Sequence, residues 1–122
     1  MNFRTENIEI SGETYSVNIP SEEVYLKANY NNAQAAKTIY TNLYSELKEK
    51  LSLEKIELIL TYQENYIENQ QRTNQDFTIL DKANIKFLEK RIPSIGQNLS
   101  KDEILEIFHV ESFYLKLINV ID

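Results

Sequence analysis

Ile8-Glu9-Ile10-Ser11-Gly12-Glu13-Thr14-Tyr15-Ser16-Val17-Asn18-Ile19 carries apolar and polar side chains in alternation on both sides of a polar turn. A period of two puts Ile8 and Ile10 on one face of a strand, and Val17 and Ile19 on one face of the next. Ser11-Gly12-Glu13 supplies the turn, with Gly available for positive φ. The first twenty residues therefore predict a β-hairpin with one buried and one wet face. Two strands alone are marginal in water. The apolar face needs a helix or a partner chain against it.

Beyond the hairpin the period changes to that of a helix. Pro20 ends the second strand, and Ser21 is an N-cap candidate. Glu22 and Glu23 follow in a first turn, where the helix dipole favours anions. Val24, Ala28, Ala35, Ala36, Ile39, Leu43 and Leu47 then recur at helical spacing, predicting a helix to about Lys50. Asn29, Asn31 and Asn32 are poor helix formers, which predicts a break or bend near Tyr30 and two shorter helices. Ser52 caps a second helix carrying Leu53, Ile56, Ile59, Leu60, Tyr66 and Ile67. Residues 68–75 are wholly polar and read as a loop or a solvent-extended helix end.

A third helix starting within 77–81 carries Leu80, Ile85, Phe87, Leu88 and Ile92. Pro93 stops it, and Gly96 sits in the turn that follows. Ser100-Lys101-Asp102-Glu103 is a capping box, with Ser at the N-cap and Glu at N3. Leu99 and Ile104 are placed as its hydrophobic staple. The last helix runs through Leu105, Phe108, Leu115 and Ile118, with a bend expected near Val110–Ser112. The fold class expected is α+β, mainly α, with the N-terminal β-hairpin packed on a bundle of three to five helices. All of it forms one domain, residues 1–20 as hairpin and 21–122 as helical body.

Composition narrows the chemistry. The 122 residues include no Cys, one His, one Met and two Gly. Phosphate-cradling loops need several glycines, and thiolate nucleophiles need Cys, as do most structural zinc sites. General acid–base catalysis uses His more than any other side chain. The expectation is a protein that is not an enzyme and holds no cofactor or metal. The net charge of −6 disfavours direct nucleic-acid binding, which draws its affinity from Lys and Arg. It favours solubility and a basic partner surface. No apolar run is long enough for a membrane span, and Met1–Glu6 lacks the pattern of a signal peptide. With no disulfide available, a reducing cytoplasm is expected.

Four groups of residues are candidates for function. His109 lies one helical turn from Glu106, an acid–base pair in outline and more ordinarily a partly buried or capping His. Lys82, Lys86 and Lys90 form a stripe beside Arg91, but Asp81 and Glu89 intersperse it, as on a solvated helix face. Glu6, Glu9, Glu13, Glu22 and Glu23 concentrate negative charge near the hairpin, either as a phosphate mimic or as protection of a strand edge. Tyr40 and Tyr44 fall one turn apart, as do Tyr62 and Tyr66, and Tyr is favoured at binding hot spots. Partner binding is accordingly expected at Glu22, Glu23, Tyr40, Tyr44, Tyr62 and Tyr66. A homodimer or monomer–dimer equilibrium is expected through helix faces, because like charges at Glu6, Glu9 and Glu13 discourage edge pairing.

The pattern Ile8-x-Ile10-x-Gly12-x-x-Tyr15-x-Val17, followed by Pro20-Ser21-Glu22-Glu23 and a helical body, resembles the small tail-assembly chaperones of long-tailed bacteriophages. Pro93-Ser94-Ile95-Gly96 departs from that layout. The resemblance implies a phage-encoded factor in the host cytoplasm that binds an unassembled tail protein without catalysis. The alternative is a small acidic phage inhibitor of a host defence nuclease, of the anti-CRISPR kind, that blocks a basic groove or locks a domain.

Overall fold

The structure, a computed structural model, describes residues 2–72 and 82–120, without the side chains of residues 66–72, 82–84 and 95. Two strands, β1 (Phe3–Ile10) and β2 (Glu13–Pro20), precede five helices. These are α1 (Asn32–Asn42), α2 (Ser45–Lys50), α3 (Leu53–Arg72), α4 (Lys82–Arg91) and α5 (Lys101–Leu117), with a 3₁₀ turn at Ile92–Ile95 after α4. The expected class, a hairpin on a mainly helical body, is the one observed. The predicted start of the third helix, within 77–81, lies outside the described residues.

The hairpin is antiparallel, and Ile10 pairs with Glu13 across a two-residue turn. Ser11 and Gly12 sit at φ of 52° and 83°. Positive φ at both central positions matches the twist of the flanking strands, and Gly supplies it without strain. Val17 and Ile19 are fully buried, with Ile8, Ile10 and Tyr15 half-buried beside them. The opposite face is polar: Thr5 hydrogen-bonds Asn18 and Ser16 hydrogen-bonds Asn7 across the strands. Asn42, at the end of α1, meets the free edge of β2. Its amide accepts from the Asn18 N–H at 2.9 Å and donates to the Asn18 carbonyl at 2.8 Å. One side chain thus pairs two backbone groups that a third strand would otherwise take.

β2 and α3 both pack on α1, and α5 packs on α1, α4 and β1. Ala35 and Ala36 are fully buried, so their small side chains let neighbours approach α1 closely. Ile39, Leu47, Ile56, Ile59, Leu88, Ile104 and Ile107 belong to the same core as Val17 and Ile19. Ser52 caps α3 as expected, accepting from the Lys55 N–H. The capping box of α5 is complete: Ser100 Oγ accepts from Glu103 N–H, and Glu103 Oε1 accepts from Ser100 N–H. Lys50 closes on the same carboxylate at 2.8 Å. Pro93 lies in the 3₁₀ turn, and Gly96 ends it in the left-handed region.

Three expectations are corrected. Residues 21–31 form no helix, so the helical body begins at Asn32 rather than Ser21. Ser21 caps nothing. The N-cap is Asn31, whose side chain accepts from the Gln34 N–H. The region to Lys50 is two helices, but they divide at Leu43 rather than at Tyr30, with Leu43 extended between them. Finally, α5 runs unbroken through residues 110–112. Ser112 turns its hydroxyl back onto the His109 carbonyl, a local bond compatible with a continuous helix. The polar stretch after Ile67 is helical as far as Arg72.

Candidate functional site

The segment 21–31, here called the strap, crosses from the hairpin to α1 without regular structure, and it is fixed along its length. Arg4 of β1 donates to the Ser21 carbonyl at 2.9 Å and to the Glu23 carbonyl at 3.2 Å. The Glu23 carboxylate receives Lys37 at 3.0 Å and Gln34 at 3.2 Å. Burial works against the Glu23 charge, but the hydrogen bonds from Lys37 and Gln34 and the charge of Lys37 together hold its pKa below the ordinary value. The Tyr25 hydroxyl meets Thr38 at 2.8 Å. Thr38 donates its own proton to the Gln34 carbonyl, so Tyr25 is the donor in that pair.

Further along, the Ala28 N–H reaches the Ile118 carbonyl at 2.6 Å, beyond the end of α5. Ala28 takes φ of 58° to do so, a conformation no α-helix permits. The strap ends on Tyr114, which is fully buried. Its hydroxyl accepts from the Asn31 N–H at 3.1 Å and donates to Gln34 Oε1 at 2.9 Å. Tyr25 and Tyr30 stand edge-on to the Tyr114 ring, at centroid distances of 5.8 Å and 5.3 Å.

These anchors use the polar side chains of the strap and turn its apolar ones outward. Val24 is 72 % exposed and Leu26 58 %. Glu22 is exposed beside them. Val24 shares a surface cleft with Leu117 at the end of α5, and Val120, 54 % exposed, follows that helix. The result is a set of exposed apolar side chains on a fixed backbone, with Glu22 and Lys27 exposed beside them.

Beneath the far end of the strap lies a cavity of about 280 Å³, lined by Tyr30, Leu60, Gln63, Glu64, Glu111 and Leu115, with Asn32. Glu111 is 3 % exposed, as is Gln63. Tyr30 donates its hydroxyl to Glu111 Oε2 at 2.6 Å. Burial raises the Glu111 pKa above the ordinary carboxylate value, opposed by hydrogen bonds from Tyr30 and Gln63. The Tyr30 hydroxyl is itself held strongly in the protonated form, first by burial and then by the neighbouring Glu111.

The residues expected to bind partners are dispersed. Glu23 is committed to Lys37 and Gln34, whereas Glu22 is exposed on the strap. Tyr40 and Tyr44 do not share one helix face, since α1 ends between them. Tyr40 is half-buried in α1 with the Lys48 ammonium 5.7 Å from its ring centre, and Tyr44 is 43 % exposed before α2. Tyr62 is half-buried with its hydroxyl 3.3 Å from Ser94 Oγ. The side chain of Tyr66 lies outside those described. Lys86 and Lys90 are exposed, and the side chain of Lys82 is likewise outside those described. His109 is exposed and stacks edge-on against Tyr15 and Phe113.

Sequence reasoning missed Tyr25, Tyr30, Glu111 and Tyr114. One signal was present. Ile107, Glu111 and Leu115 lie at steps of four on a mostly apolar helix, so Glu111 is an acid on a stripe that the neighbours mark as buried. Among the described residues no cluster of three or more His, Asp or Glu is placed to hold a metal ion, and no helix is long and apolar enough to cross a membrane. No family model, no curated protein and no solved structure matches the chain.

Proposed function

We propose that the chain is a non-enzymatic protein-binding factor of phage origin, acting as a tail-assembly chaperone does by covering apolar surface on an unassembled partner. The observation that supports this reading is the strap: Val24 and Leu26 are outward on a backbone fixed by Arg4, Gln34, Lys37, Thr38 and Tyr114. An apolar side chain on a pre-ordered segment binds with little further loss of conformational entropy. The net charge of −6 suits a partner whose apolar surface carries basic residues around it. Self-association through the same surface would keep it covered until the partner arrives.

The test is copurification with a tape-measure or tail-tube protein. Wild type is expected to retain the partner, and Val24→Ser with Leu26→Ser to lose it while folding normally. A monodisperse wild-type protein that binds neither tail component overturns the chaperone reading. The second reading is an acidic inhibitor of a defence nuclease, favoured by the exposure of Glu6, Glu9 and Glu13 along the hairpin and of Glu22 on the strap. It requires inhibition that weakens with salt and with Glu22→Lys, mainly through the association rate. Binding insensitive to both overturns it.

A further inference from the structure

The cavity under Tyr30 combines features that a plain packing defect lacks. Leu60, Leu115 and the Tyr30 ring give it apolar walls, and none of its lining residues is basic. Two acids, Glu64 and Glu111, line it. Glu111 Oε1 and Gln63 Oε1 are buried and have no hydrogen-bond partner among the described residues. Native interiors rarely leave two such oxygens unpaired.

The chemistry of a complementary ligand follows by exclusion. An anion meets Glu64, Glu111 and the acidic surface of the chain. A neutral hydrocarbon fits the walls but leaves both oxygens unpaired, which is costly in a low-dielectric site. A protonated amine offers three N–H donors on one atom. It also brings the opposite charge that a buried carboxylate needs, and it gains from the face of an aromatic ring. An alkyl stem fills the space between Leu60 and Leu115. We propose that this cavity is a binding site for an alkylammonium group, with the charged head on Glu111 Oε1 and Gln63 Oε1 and the stem along Leu60, Leu115 and Tyr30. The source is either the side chain of a lysine on a protein or a free small amine. The site rests on the cavity and not on the strap surface, so it stands or falls independently of the chaperone reading.

Ammonium binding selects the ionised form of Glu111, which burial disfavours. Among the described residues, Tyr30 on the strap bonds this carboxyl, Glu64 on α3 lines the same cavity, and Glu64 and Tyr114 on α5 act on the Tyr30 hydroxyl. The experiment titrates the full chain with n-butylammonium and follows the methyl groups of Leu60 and Leu115 and the Glu111 carboxyl carbon by NMR. Saturable methyl shifts are expected, together with a carboxyl shift toward the ionised form. Butanol, which keeps the stem and lacks the charge, is expected to bind at least tenfold more weakly. Glu111→Gln is expected to weaken butylammonium by tenfold or more, and Tyr30→Phe by a smaller factor. Equal binding of butanol and butylammonium, or a Glu111 carbon that does not move, overturns the proposal in the wild-type protein without recourse to a variant. Nα-acetyl-lysine methylamide identifies the source: tighter binding than butylammonium assigns the site to a protein lysine, and weaker binding assigns it to a free amine.

Discussion

The hairpin and the strap are adjacent non-helical segments built on opposite rules. In the hairpin, Val17 and Ile19 are fully buried and the polar side chains face water. In the strap, the Glu23 carboxylate and the hydroxyls of Tyr25 and Tyr30 reach inward to polar partners, while Val24 and Leu26 and part of the Tyr30 ring are left in solvent. The hairpin is held by area removed from water, which is non-directional and tolerant. The strap is held by directional bonds whose partners must be in place. An inside-out segment gives up the stabilisation of burying its apolar side chains, about 1.5–3 kcal/mol for a fully buried Val or Leu. A surface maintained against that preference is where a partner is expected.

The largest effect expected belongs to the hairpin. Ile19→Ala deletes a fully buried side chain from the shared core and is expected to destabilise by about 2–5 kcal/mol. The urea midpoint should fall with an unchanged slope, as for a change in stability within two-state unfolding of a small domain. A loss under 1 kcal/mol would mean that the hairpin contributes little to the core.

Tyr114→Phe probes the strap in the opposite currency. The ring stays, and only the hydroxyl between Asn31 and Gln34 is lost. Leaving those groups unpaired is expected to lower stability by about 1–3 kcal/mol. The diagnostic is place rather than size: amide exchange should rise at 28–34 while Val17 and Ile19 stay protected. Uniform loss of protection would show that the strap and hairpin form one cooperative unit.

Ser100→Ala removes half of the capping box and is expected to cost about 1 kcal/mol, measured by thermal unfolding. The cap is a useful contrast because both partners lie within four residues and the motif was legible in the sequence. So were the Ser11-Gly12 turn and the Ser52 cap, for the same reason: each is decided by neighbours along the chain. The strap was misread because Ser21-Glu22-Glu23 imitates a helix start and Val24 and Ala28 are four apart. What decides against a helix there is remote. Ala28 bonds Ile118, Asn31 bonds Tyr114, and Tyr30 bonds Glu111, 81 residues away. No local pattern encodes those partners, and the cavity around Glu111 was invisible for the same reason.

The carboxyl groups give a contrast read as a slope against pH. Glu23 and Glu103 have lowered pKa values in the folded state, each by hydrogen bonds and charge from a lysine acting against burial. Their contribution is fully present above the ordinary carboxylate value of 4.5 and is lost as pH falls through their folded values. Glu111 is shifted the other way, by burial. Its contribution is present below the ordinary value and is lost as pH rises through the folded one. Urea midpoints should therefore decline on both sides of a maximum. Glu111→Gln should flatten the high-pH decline and leave the acid limb as it is. An unaltered high-pH limb would show that Glu111 does not titrate in that range.

The smallest effect carries the most weight for function. Val24→Ser with Leu26→Ser replaces two apolar side chains that already lie mostly in water, at 72 % and 58 % exposure. Little area is returned to solvent. The strap's anchors are its backbone and the side chains of Glu23, Tyr25 and Tyr30, none of which changes. Stability is expected to stay within about 0.5 kcal/mol of wild type, as for surface substitutions away from packing or hydrogen-bond networks. Tyr114→Phe alters the anchors and keeps the surface, so the two variants separate what holds the strap from what the strap presents. If the serine variant loses more than 1 kcal/mol, Val24 and Leu26 are covered in solution, either by the chain itself or by a second copy. Protein concentration distinguishes these, because only the loss of a self-associated state makes the unfolding midpoint of wild type depend on dilution.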